Sequence, residues 1–280
     1  MALPVNKTLR SKGRILDLSG PVVMGILNAT PNSFYNMGEG SNVDDLLRNA
    51  ETMLHSGASI LDVGGASTKP GEPLIDPGVE LRRILPVISG VKGRFPDAWL
   101  SIDTYNTTTA REAVAAGADI VNDVSGAKFT TDMLKVVAGL QVPYIAMHMQ
   151  GSPVTMQQNP QYDDVVTEVF EYLAGLVGDC TKAGIQDIII DPGFGFGKTT
   201  EHNFQLLRNL NIFRALGRPV LAGISRKSMV CKPLGVNPAN ALNGTTALHV
   251  IALQQEANIL RVHDVKEAMQ VISLMKWVNQ

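Results

Sequence analysis

Seven apolar segments of the chain end in a side chain that can bind a ligand or exchange a proton. These ends carry Asn28, Asp103, Asn122 with Asp123, His148, Asp191, Ser225 to Lys227, and Arg261 with His263. Asp, Asn and Ser after a strand often only cap the next helix, and we expect that role for Asp123 and Asp264. Helix capping does not require arginine, lysine or histidine at the ends of neighbouring strands. The whole set therefore predicts one ligand site where the strand ends meet.

The last two predicted strands carry the cationic part of this site. Arg261 and His263 stand two positions apart, so their side chains project to the same side of a strand. With Lys227 at the end of the preceding strand, they suit an anion, and phosphate or pyrophosphate is the first expectation. The alternative is a structural role, in which Arg261 forms an ion pair and His263 is a buried histidine bonded to the backbone.

A glycine-rich segment, Asp191-Pro-Gly-Phe-Gly-Phe-Gly-Lys198, suggests a flat ligand. It is not a phosphate-binding P-loop, because that motif needs a glycine where this chain has Pro192. Alternating glycines would let a flat heterocycle approach the backbone closely. The Asp191 carboxylate could then accept two parallel hydrogen bonds from the amidine-like edge of a pterin or a guanine, with Asp103 and Asn122 completing the clamp. Lys227 is either a Schiff-base lysine or a cationic hydrogen-bond donor.

The metal-ligating residue types are sparse. Cys180 and Cys231 have no partners at metal-ligand spacing, and no two of the five histidines are four residues apart. A zinc site is therefore not expected. Mg²⁺ fits better, because it commonly binds through one protein oxygen, such as that of an asparagine, together with phosphates and water.

The elements that position these residues alternate between short strands and longer amphipathic segments. The predicted strands cover residues 22–28, 59–63, 99–103, 119–122, 142–148, 188–191, 219–225 and 259–263, and the clearest helical segments are 43–55, 79–91, 107–116, 163–182 and 203–216. Eight such units predict an α/β fold, a (β/α)8 TIM barrel formed by one domain over residues 1–280, with an open doubly wound sheet as the alternative. A β-hairpin around Gly13 is expected to plug one end of the barrel.

Composition and charge exclude several classes of function. The chain has 280 residues with 24 basic and 26 acidic side chains, a net charge of -2 and no cluster of lysine and arginine. Nucleic acid and anionic membranes are therefore not expected as partners. Two cysteines and no apolar run of roughly 20 residues predict a cytoplasmic protein with reduced thiols and no membrane span.

Taken in order, eight segments resemble the dihydropteroate synthase family. They are Met24-Gly-Ile-Leu-Asn28-Ala-Thr-Pro-Asn-Ser-Phe34, Asp62-Val-Gly-Gly-Ala-Ser-Thr68-Lys-Pro70-Gly, Ser101-Ile-Asp103-Thr, Asn122-Asp, Met147-His-Met-Gln-Gly, Asp191-Pro-Gly-Phe-Gly-Phe-Gly-Lys198, Ser225-Arg-Lys227-Ser228 and Arg261-Val-His263. The resemblance implies folate biosynthesis, in which 4-aminobenzoate displaces pyrophosphate from (7,8-dihydropterin-6-yl)methyl diphosphate by an SN1-like substitution to give 7,8-dihydropteroate.

The resemblance also implies roles for individual residues. The implied pterin ligands are Asp103, Asn122, Met147, Asp191, Phe196, Gly223, Lys227 and Arg261, and the implied diphosphate ligands are Asn28, Arg261 and His263. Asn28 would also hold Mg²⁺. The implied 4-aminobenzoate ligands are Phe34, Thr68, Pro70, Lys227 and Ser228, and the implied catalytic residues are Lys227, Arg261, His263 and Asp103. A homodimer is expected, and the apolar stretch from Met269 to Val278 would permit one.

Departures from the family pattern fall in the loops expected to close over 4-aminobenzoate. Asn32 and Asn36 replace aspartates, Lys69 replaces an arginine and Ala66 replaces a glutamate. Asn36 and Lys69 cannot form a charge pair, so closure would rest on weaker neutral hydrogen bonds. Two alternatives follow. One is a pterin-binding homologue that is non-catalytic or has a changed amine or sulfonamide selectivity, and the other is a pterin-dependent methyltransferase barrel, which would not need the 225–228 and 261–263 motifs.

Overall fold

Eight parallel strands form one sheet that closes on itself. The protein was analysed as a computed structural model, which describes residues 5–30, 43–66, 71 and 73–278. The barrel strands are β3 (Val22–Asn28), β4 (Ile60–Gly64), β5 (Trp99–Asp103), β6 (Ile120–Asp123), β7 (Tyr144–Met147), β8 (Ile188–Asp191), β9 (Leu221–Ala222) and β10 (Ile259–Val262), in the order β8-β7-β6-β5-β4-β3-β10-β9. A parallel bridge between Ile190 and Val220 joins the two ends of that order. The predicted (β/α)8 barrel is confirmed.

Helices between the strands cover the outside of the barrel. They are α1 (Val43–His55), α2 (Pro77–Arg94), α3 (Thr107–Ala116), α4 (Met133–Leu140), α5 (Val165–Ala183), α6 (Thr200–Arg208), α7 (Ser228–Leu234), α8 (Leu242–Gln254) and α9 (Val265–Val278). Their apolar faces and the outward side chains of the strands form one large buried cluster, as parallel strands covered by helices require. Within the described residues, no helix is both long enough and apolar enough to span a bilayer.

The inside of the barrel has an apolar floor. One buried cluster collects an inward residue from every barrel strand together with two residues of the N-terminal segment: Leu9, Leu18, Met24, Ile60, Trp99, Ile120, Ile145, Ile189, Leu221 and Ile259. Leu9 belongs to the predicted hairpin, β1 (Thr8–Ser11) and β2 (Arg14–Asp17), which pair antiparallel across the turn at Lys12 and Gly13. The hairpin therefore plugs this end of the barrel, as expected.

Polar residues lie directly above that floor. Side chains alternate along a strand, so the residue two positions after a floor residue also faces the interior. This spacing leads from Ile60 to Asp62, from Ile120 to Asn122, from Ile189 to Asp191 and from Ile259 to Arg261. The period of the strands thus separates a dry floor from a polar layer near the carboxyl ends of the strands.

Two fully or nearly buried carboxylates attach the hairpin to the barrel. Asp119 accepts from Arg14 at 2.5 Å, from Lys92 at 2.9 Å and from the backbone N–H of Leu100 at 3.1 Å. Asp187 accepts from the backbone N–H of Arg10 at 2.9 Å. Both aspartates stand just before a barrel strand, so these contacts lie at the floor end, opposite the predicted site.

Two predicted elements differ from the observed ones. The helix predicted over 203–216 is instead α6 followed by a 3-10 helix, Leu210–Leu216. Asn209 separates them, and its side-chain amide donates to the Gln205 carbonyl, a local bond that competes with continuing the helix. The strand predicted over 219–225 is only Leu221–Ala222, because Pro219 has no N–H to donate and the backbone N–H of Lys227 turns back to the Ile224 carbonyl.

Replacing Asp119 with Asn should destabilise the protein by about 3 kcal/mol, since the side chain is fully buried and its two cationic partners would lose their counter-ion. Urea unfolding followed by circular dichroism measures the loss. Asp97→Asn, an exposed aspartate near the same end, should leave the free energy of unfolding unchanged. Equal stability of Asp119→Asn and the wild type would show that the hairpin contacts do not matter to the barrel.

Candidate active site

Strand register brings three predicted site residues into one row. Asn28 on β3 pairs with Gly64 on β4, Gly64 pairs with Asp103 on β5, and Asp103 pairs with Asn122 on β6. Gly64 has no side chain to fill the space between its neighbours, and a Cβ there would lie 3.5 Å from the Asn28 Oδ1 atom and 3.6 Å from the Asp103 Cβ atom. The row therefore opens a gap at the mouth of the barrel between Asn28 and Asp103.

The centre of the mouth is a buried ion-pair network around Arg261. Its Nε donates to the Asp62 Oδ2 atom at 2.6 Å, and its Nη2 donates to the Asp103 Oδ2 atom at 2.6 Å. The Asn122 side-chain amide donates to the same Asp62 oxygen at 3.0 Å. Asp62 is 0% exposed and Arg261 is 16% exposed, so these charges are largely removed from water.

Asp62 is the residue that the sequence analysis missed as a site residue. It is a charged residue in the middle of the apolar strand Ile60–Gly64. An ionised carboxylate is almost never fully buried without a partner, so its position in the strand was the available signal. The partner, Arg261, comes from the last strand of the barrel, and strand spacing alone does not reveal that pairing.

The network shifts the proton affinities of its members. Burial raises the pKa of Asp103 to about 7, although Arg261 acts in the opposite direction and Asp62 adds to the rise. Burial lowers the pKa of Arg261, but the attraction of Asp62 and Asp103 outweighs it, so the pKa lies above its ordinary value. The guanidinium is therefore a permanent cation that the two carboxylates share.

The glycine-rich segment forms a tight loop that its own polar groups hold in place. The Asp191 Oδ1 atom accepts from the Gly193 N–H at 2.7 Å. The Lys198 Nζ atom donates to the carbonyls of Gly193 at 2.9 Å and Phe196 at 3.1 Å, and lies 2.9 Å from the His148 Nδ1 atom. The ammonium group of Lys198 therefore bonds to groups within the protein. This agrees with the prediction that the segment is not a phosphate-binding P-loop.

Gly193 is required by the loop. Its φ of +71° lies in the left-handed region, and a Cβ there would come within 1.9 Å of the His148 carbonyl oxygen. His148 itself belongs to the support of this loop and does not join the ion-pair network, because its ring contacts Lys198 and packs edge-on against Tyr172 at 4.9 Å. Burial, with help from Lys198, lowers the pKa of His148 to about 2, so the ring is neutral.

Lys227 lies beside this loop and beside Asp191. Its Nζ atom donates to the Phe194 carbonyl at 2.6 Å and stands 4.7 Å above the centre of the Phe196 ring. A Cβ on Gly223 would lie 3.6 Å from the same Nζ atom and 3.9 Å from the Asp191 Oδ2 atom, so the lysine and the carboxylate converge over a glycine. Burial lowers the pKa of Lys227 to about 8, while Asp191 opposes the change. Burial also raises the pKa of Asp191.

Apolar side chains complete the wall. Met147 pairs in register with Asp191 across β7 and β8, and it belongs to a buried cluster with Phe196. The sequence-predicted pterin residues Met147, Phe196 and Gly223 thus lie around Asp191 and Lys227. Asp103, Asn122 and Arg261 form the second group across the barrel.

His263 stands at the rim with Ser225. The backbone N–H of His263 donates to the Ser225 Oγ atom at 3.2 Å, and the Ser225 Oγ atom lies 3.0 Å from the His263 Nδ1 atom. The serine proton can then go to Nδ1, which leaves the ring proton on Nε2 as a free donor. Partial burial and the guanidinium groups of Arg261 and Arg226 lower the pKa of His263, so it is a neutral donor at pH 7.

Of the two aspartates expected to cap helices, only Asp264 stands directly before a helix, α9. Asp123 accepts from the Ser125 and Ala127 backbone N–H groups and from the Tyr144 hydroxyl, and the next helix begins only at Met133. The Asp264 carboxylate binds the Arg226 guanidinium at 2.8 and 2.5 Å. The cap prediction was wrong for Asp123, since the carboxylate closes a buried turn, and the Asp264 side chain is used in an ion pair.

The residues predicted to bind 4-aminobenzoate are only partly described. Ser228 begins α7 directly after Lys227, on the exposed side of the mouth. Phe34, Thr68 and Pro70 lie outside the described residues, as do Asn32, Asn36 and Lys69. Ala66 is described, and it packs against the apolar cluster of Met147 and Phe196.

Comparison with known proteins identifies the family. Residues 24–263 match the model of the pterin binding enzyme family. The dihydropteroate synthase of Escherichia coli is 43% identical over 270 residues, which cover 96% of this chain and 95% of that protein. Among solved structures, the dihydropteroate synthase of Yersinia pestis in complex with a sulfonamide drug superposes with a TM-score of 0.93 at 41% identity, covering 97% of this chain and 99% of the other.

The structure of Xanthomonas albilineans dihydropteroate synthase with 4-aminobenzoic acid gives a TM-score of 0.91 at 40% identity, covering 98% of this chain and 99% of the other. The agreement spans the whole barrel and therefore includes every strand that carries a site residue. The chain belongs to the dihydropteroate synthase family, the transferases of folate biosynthesis that form the bond between a pterin methylene carbon and the nitrogen of 4-aminobenzoate.

Proposed function

We propose that this chain acts as one catalytic domain that joins (7,8-dihydropterin-6-yl)methyl diphosphate to 4-aminobenzoate, giving 7,8-dihydropteroate and pyrophosphate. The observation that carries this proposal is the convergence of Asp191, Lys227, Asp103 and Arg261 at one barrel mouth. A heterocycle clamp and an anion site are thereby neighbours, as a substrate with a ring and a diphosphate requires. The Xanthomonas relative with 4-aminobenzoic acid supports the second substrate.

The pterin ring would lie between the two halves of the mouth. Asp191 and Asp103 would accept from the amino group and ring N–H groups, and Asn122 and Lys227 would donate to ring acceptors. The pKa of Lys227, lowered to about 8, still leaves an ammonium at pH 7. A hydrogen-bond donor role agrees with its contact to the Phe194 carbonyl and with the distance to Phe196. Met147, Phe196 and Gly223 would line the slot.

The diphosphate would lie at the rim. Arg261 would supply a permanent positive charge, and the Nε2–H of His263 would supply a neutral donor whose direction Ser225 sets. Asn28 faces Asp103 across the gap over Gly64. Lys227 and Ser228 would receive the carboxylate of 4-aminobenzoate, together with Phe34, Thr68 and Pro70 of the two loops.

The chemistry needs electrostatics more than a strong base. In an SN1-like substitution the bond between the pterin methylene and the diphosphate oxygen breaks first, so negative charge grows on the leaving group and positive charge on the methylene. Preorganised donors at the developing anion are usually the largest catalytic contribution. Arg261 and His263 would stabilise the leaving pyrophosphate. The carboxylate of Asp103 would favour the cationic pterin. The aromatic amine would attack the methylene without prior deprotonation, and the new C–N bond would then release one amine proton to the leaving pyrophosphate.

The proposal includes Mg²⁺, which the side chain of Asn28 would help to hold. Within the described residues no cluster of three or more His, Cys, Asp or Glu could hold a metal. A single amide oxygen at the mouth therefore fits an ion that takes most of its ligands from the diphosphate and from water, as Mg²⁺ does. When bound, the ion would neutralise charge on the diphosphate.

We also propose a cytoplasmic homodimer. Cys180 and Cys231 are both unpaired, as a reducing compartment requires. The last turns of α9 leave Leu274, Trp277 and Val278 between 67% and 75% exposed. These positions follow the three- and four-residue spacing of one helix face, so they form a contiguous apolar patch that a second copy would cover.

Purified protein supplied with dihydropterin diphosphate, 4-aminobenzoate and Mg²⁺ should release pyrophosphate and form dihydropteroate in equal amounts. Asp191→Asn should lower kcat/KM roughly 100-fold, because a charge-assisted bond to the ring is lost. A coupled assay for pyrophosphate measures kcat/KM, and chromatography measures the amount of dihydropteroate formed. Glu201→Gln, an exposed change on α6, is the matched control and should keep full activity.

Binding of dihydropterin diphosphate without any pyrophosphate release would contradict the proposed catalysis. It would instead favour the alternative of a non-catalytic pterin-binding homologue, in which the departures at Asn36 and Lys69 prevent the loops from closing over the amine.

The KM for 4-aminobenzoate should rise above pH 8. The folded-state pKa of Lys227 is about 8, so the ammonium is present below that pH and is lost as the pH rises through it. Because the substrate carboxylate stays ionised, KM should increase by up to about tenfold per pH unit beyond this point. Steady-state kinetics across neutral and alkaline pH measure the change. Lys227→Met should show a high KM that does not vary with pH, and a flat wild-type profile would refute the role.

Wild-type protein should elute as a dimer in size-exclusion chromatography with light scattering. Trp277→Glu should convert it to a folded monomer, since a charge in the apolar patch opposes association. Lys276→Glu changes charge on the neighbouring exposed position and should remain dimeric. A monomeric wild type would contradict the interface.

A further inference from the structure

Arg261 has two carboxylate partners, and only one of them is among the proposed substrate ligands. Its Nε bonds to Asp62 and its Nη2 bonds to Asp103, each at 2.6 Å. Asp62 lies in the middle of β4 and is fully buried, with one oxygen shared by Arg261 and Asn122 and the other without a hydrogen-bond partner in the described structure. Asp62 therefore touches the groups that would bind substrate without being exposed to substrate itself.

The ion pair between Arg261 and Asp103 occupies groups that the substrate would need. The Asp103 Oδ1 atom is buried and Oδ2 holds the guanidinium, so a pterin ring that bonds to Asp103 must disturb that contact. A diphosphate that bonds to the Nη2 atom of Arg261 displaces Asp103 from the other side. Opening the pair for one ligand alone leaves a buried charge without its partner, which is costly. When both ligand groups are present, each member of the pair receives a new partner.

The Asp62 contact does not face this competition. It uses Nε, which is a separate donor from the Nη2 atom bonded to Asp103. Rotation of the guanidinium about the Nε–Asp62 bond can therefore turn Nη2 away from Asp103 while Nε stays bonded. The second acceptance by Asp62, from Asn122 at 3.0 Å, fixes the carboxylate in the orientation that Nε needs.

We propose that Arg261 changes partners during substrate binding: Nη2 moves from Asp103 to the diphosphate while Nε stays on Asp62, so that pterin ring and diphosphate bind cooperatively. Asp62 is then a positioning residue, and the site favours the intact diphosphate ester over either half. The inference rests on the proposed function, because it takes Asp103 as a ligand of the ring and Arg261 as a ligand of the diphosphate.

The test is a set of calorimetric titrations with two separate probes, 6-hydroxymethylpterin and inorganic pyrophosphate with Mg²⁺. In the wild type each probe should tighten the binding of the other by the same factor, roughly tenfold, since coupling is reciprocal. Mutual indifference, or mutual weakening, overturns the proposal. If neither probe binds and the enzyme shows no turnover, the proposed function fails and the proposal fails with it.

Two matched variants separate the partner change from a general charge effect, because each removes one negative charge next to Arg261. Asp103→Asn frees Nη2, so pyrophosphate alone should bind roughly tenfold more tightly and the coupling should disappear. Asp62→Asn removes the Nε anchor, so pyrophosphate should bind more weakly. Tighter binding in both variants would show simple electrostatics and overturn the proposal.

The fold of each variant is checked by thermal melting. Arg261→Lys is the further variant if either aspartate change unfolds the protein. A single ammonium cannot provide the fork that holds two carboxylates, so it should keep some pyrophosphate binding but lose the coupling. Retention of the full coupling in Arg261→Lys would contradict the model.

Discussion

Two buried carboxylates share one guanidinium, and this ion-pair network determines the electrostatics of the whole barrel mouth. Arg261 lies between Asp62 and Asp103 with little contact to water, so loss of the guanidinium would leave two buried carboxylates without their counter-ion. The same scarcity of water acts on the titratable groups of the mouth. Burial raises the pKa of Asp103 and lowers the pKa of Lys227. A ligand that supplies opposite charges and hydrogen bonds at this mouth therefore stabilises charged forms that burial disfavours.

The barrel can hold such a buried ion-pair network because it separates an apolar floor from a polar layer. The floor is closed by inward apolar residues and by Leu9 of the hairpin. Two residues further along the same strands, Asp62, Asn122 and Arg261 face the same interior. The hairpin is in turn held by Asp119 at the floor end, which leaves the carboxyl ends of the strands open for substrate.

Much of this arrangement could be predicted from the sequence. Strand period and strand-end chemistry placed Asp103, Asn122, Asp191 and Arg261 at one mouth, because parallel strands in a barrel end on the same face. Strand-end chemistry does not predict Asp62, because this residue lies inside its strand and its partner Arg261 comes from a strand that is distant in sequence. A charged residue inside an apolar strand is the sequence signal for its role.

Other features depend on distances that no sequence pattern contains. The neutral state of His263 follows from its surroundings at the rim, and its tautomer follows from two contacts to Ser225. The helix expected over 203–216 is interrupted because the Asn209 side chain bonds to the backbone of the preceding turn. The residues expected to close over 4-aminobenzoate, among them Phe34 and Thr68, lie outside the described residues, so their roles stay predictions.

The central claim is that Arg261 stays bonded to Asp62 both before and after substrate binds, and that it is bonded to Asp103 only while the site holds no substrate. A pair of high-resolution crystal structures, one of the free protein and one with an unreactive pterin diphosphate analogue, tests it most directly. The account predicts that the Nε to Asp62 distance stays near 2.6 Å in both, while Nη2 leaves Asp103 for a phosphate oxygen in the complex. An Arg261 that keeps its bond to Asp103 with the analogue bound, or that leaves Asp62, would contradict the account.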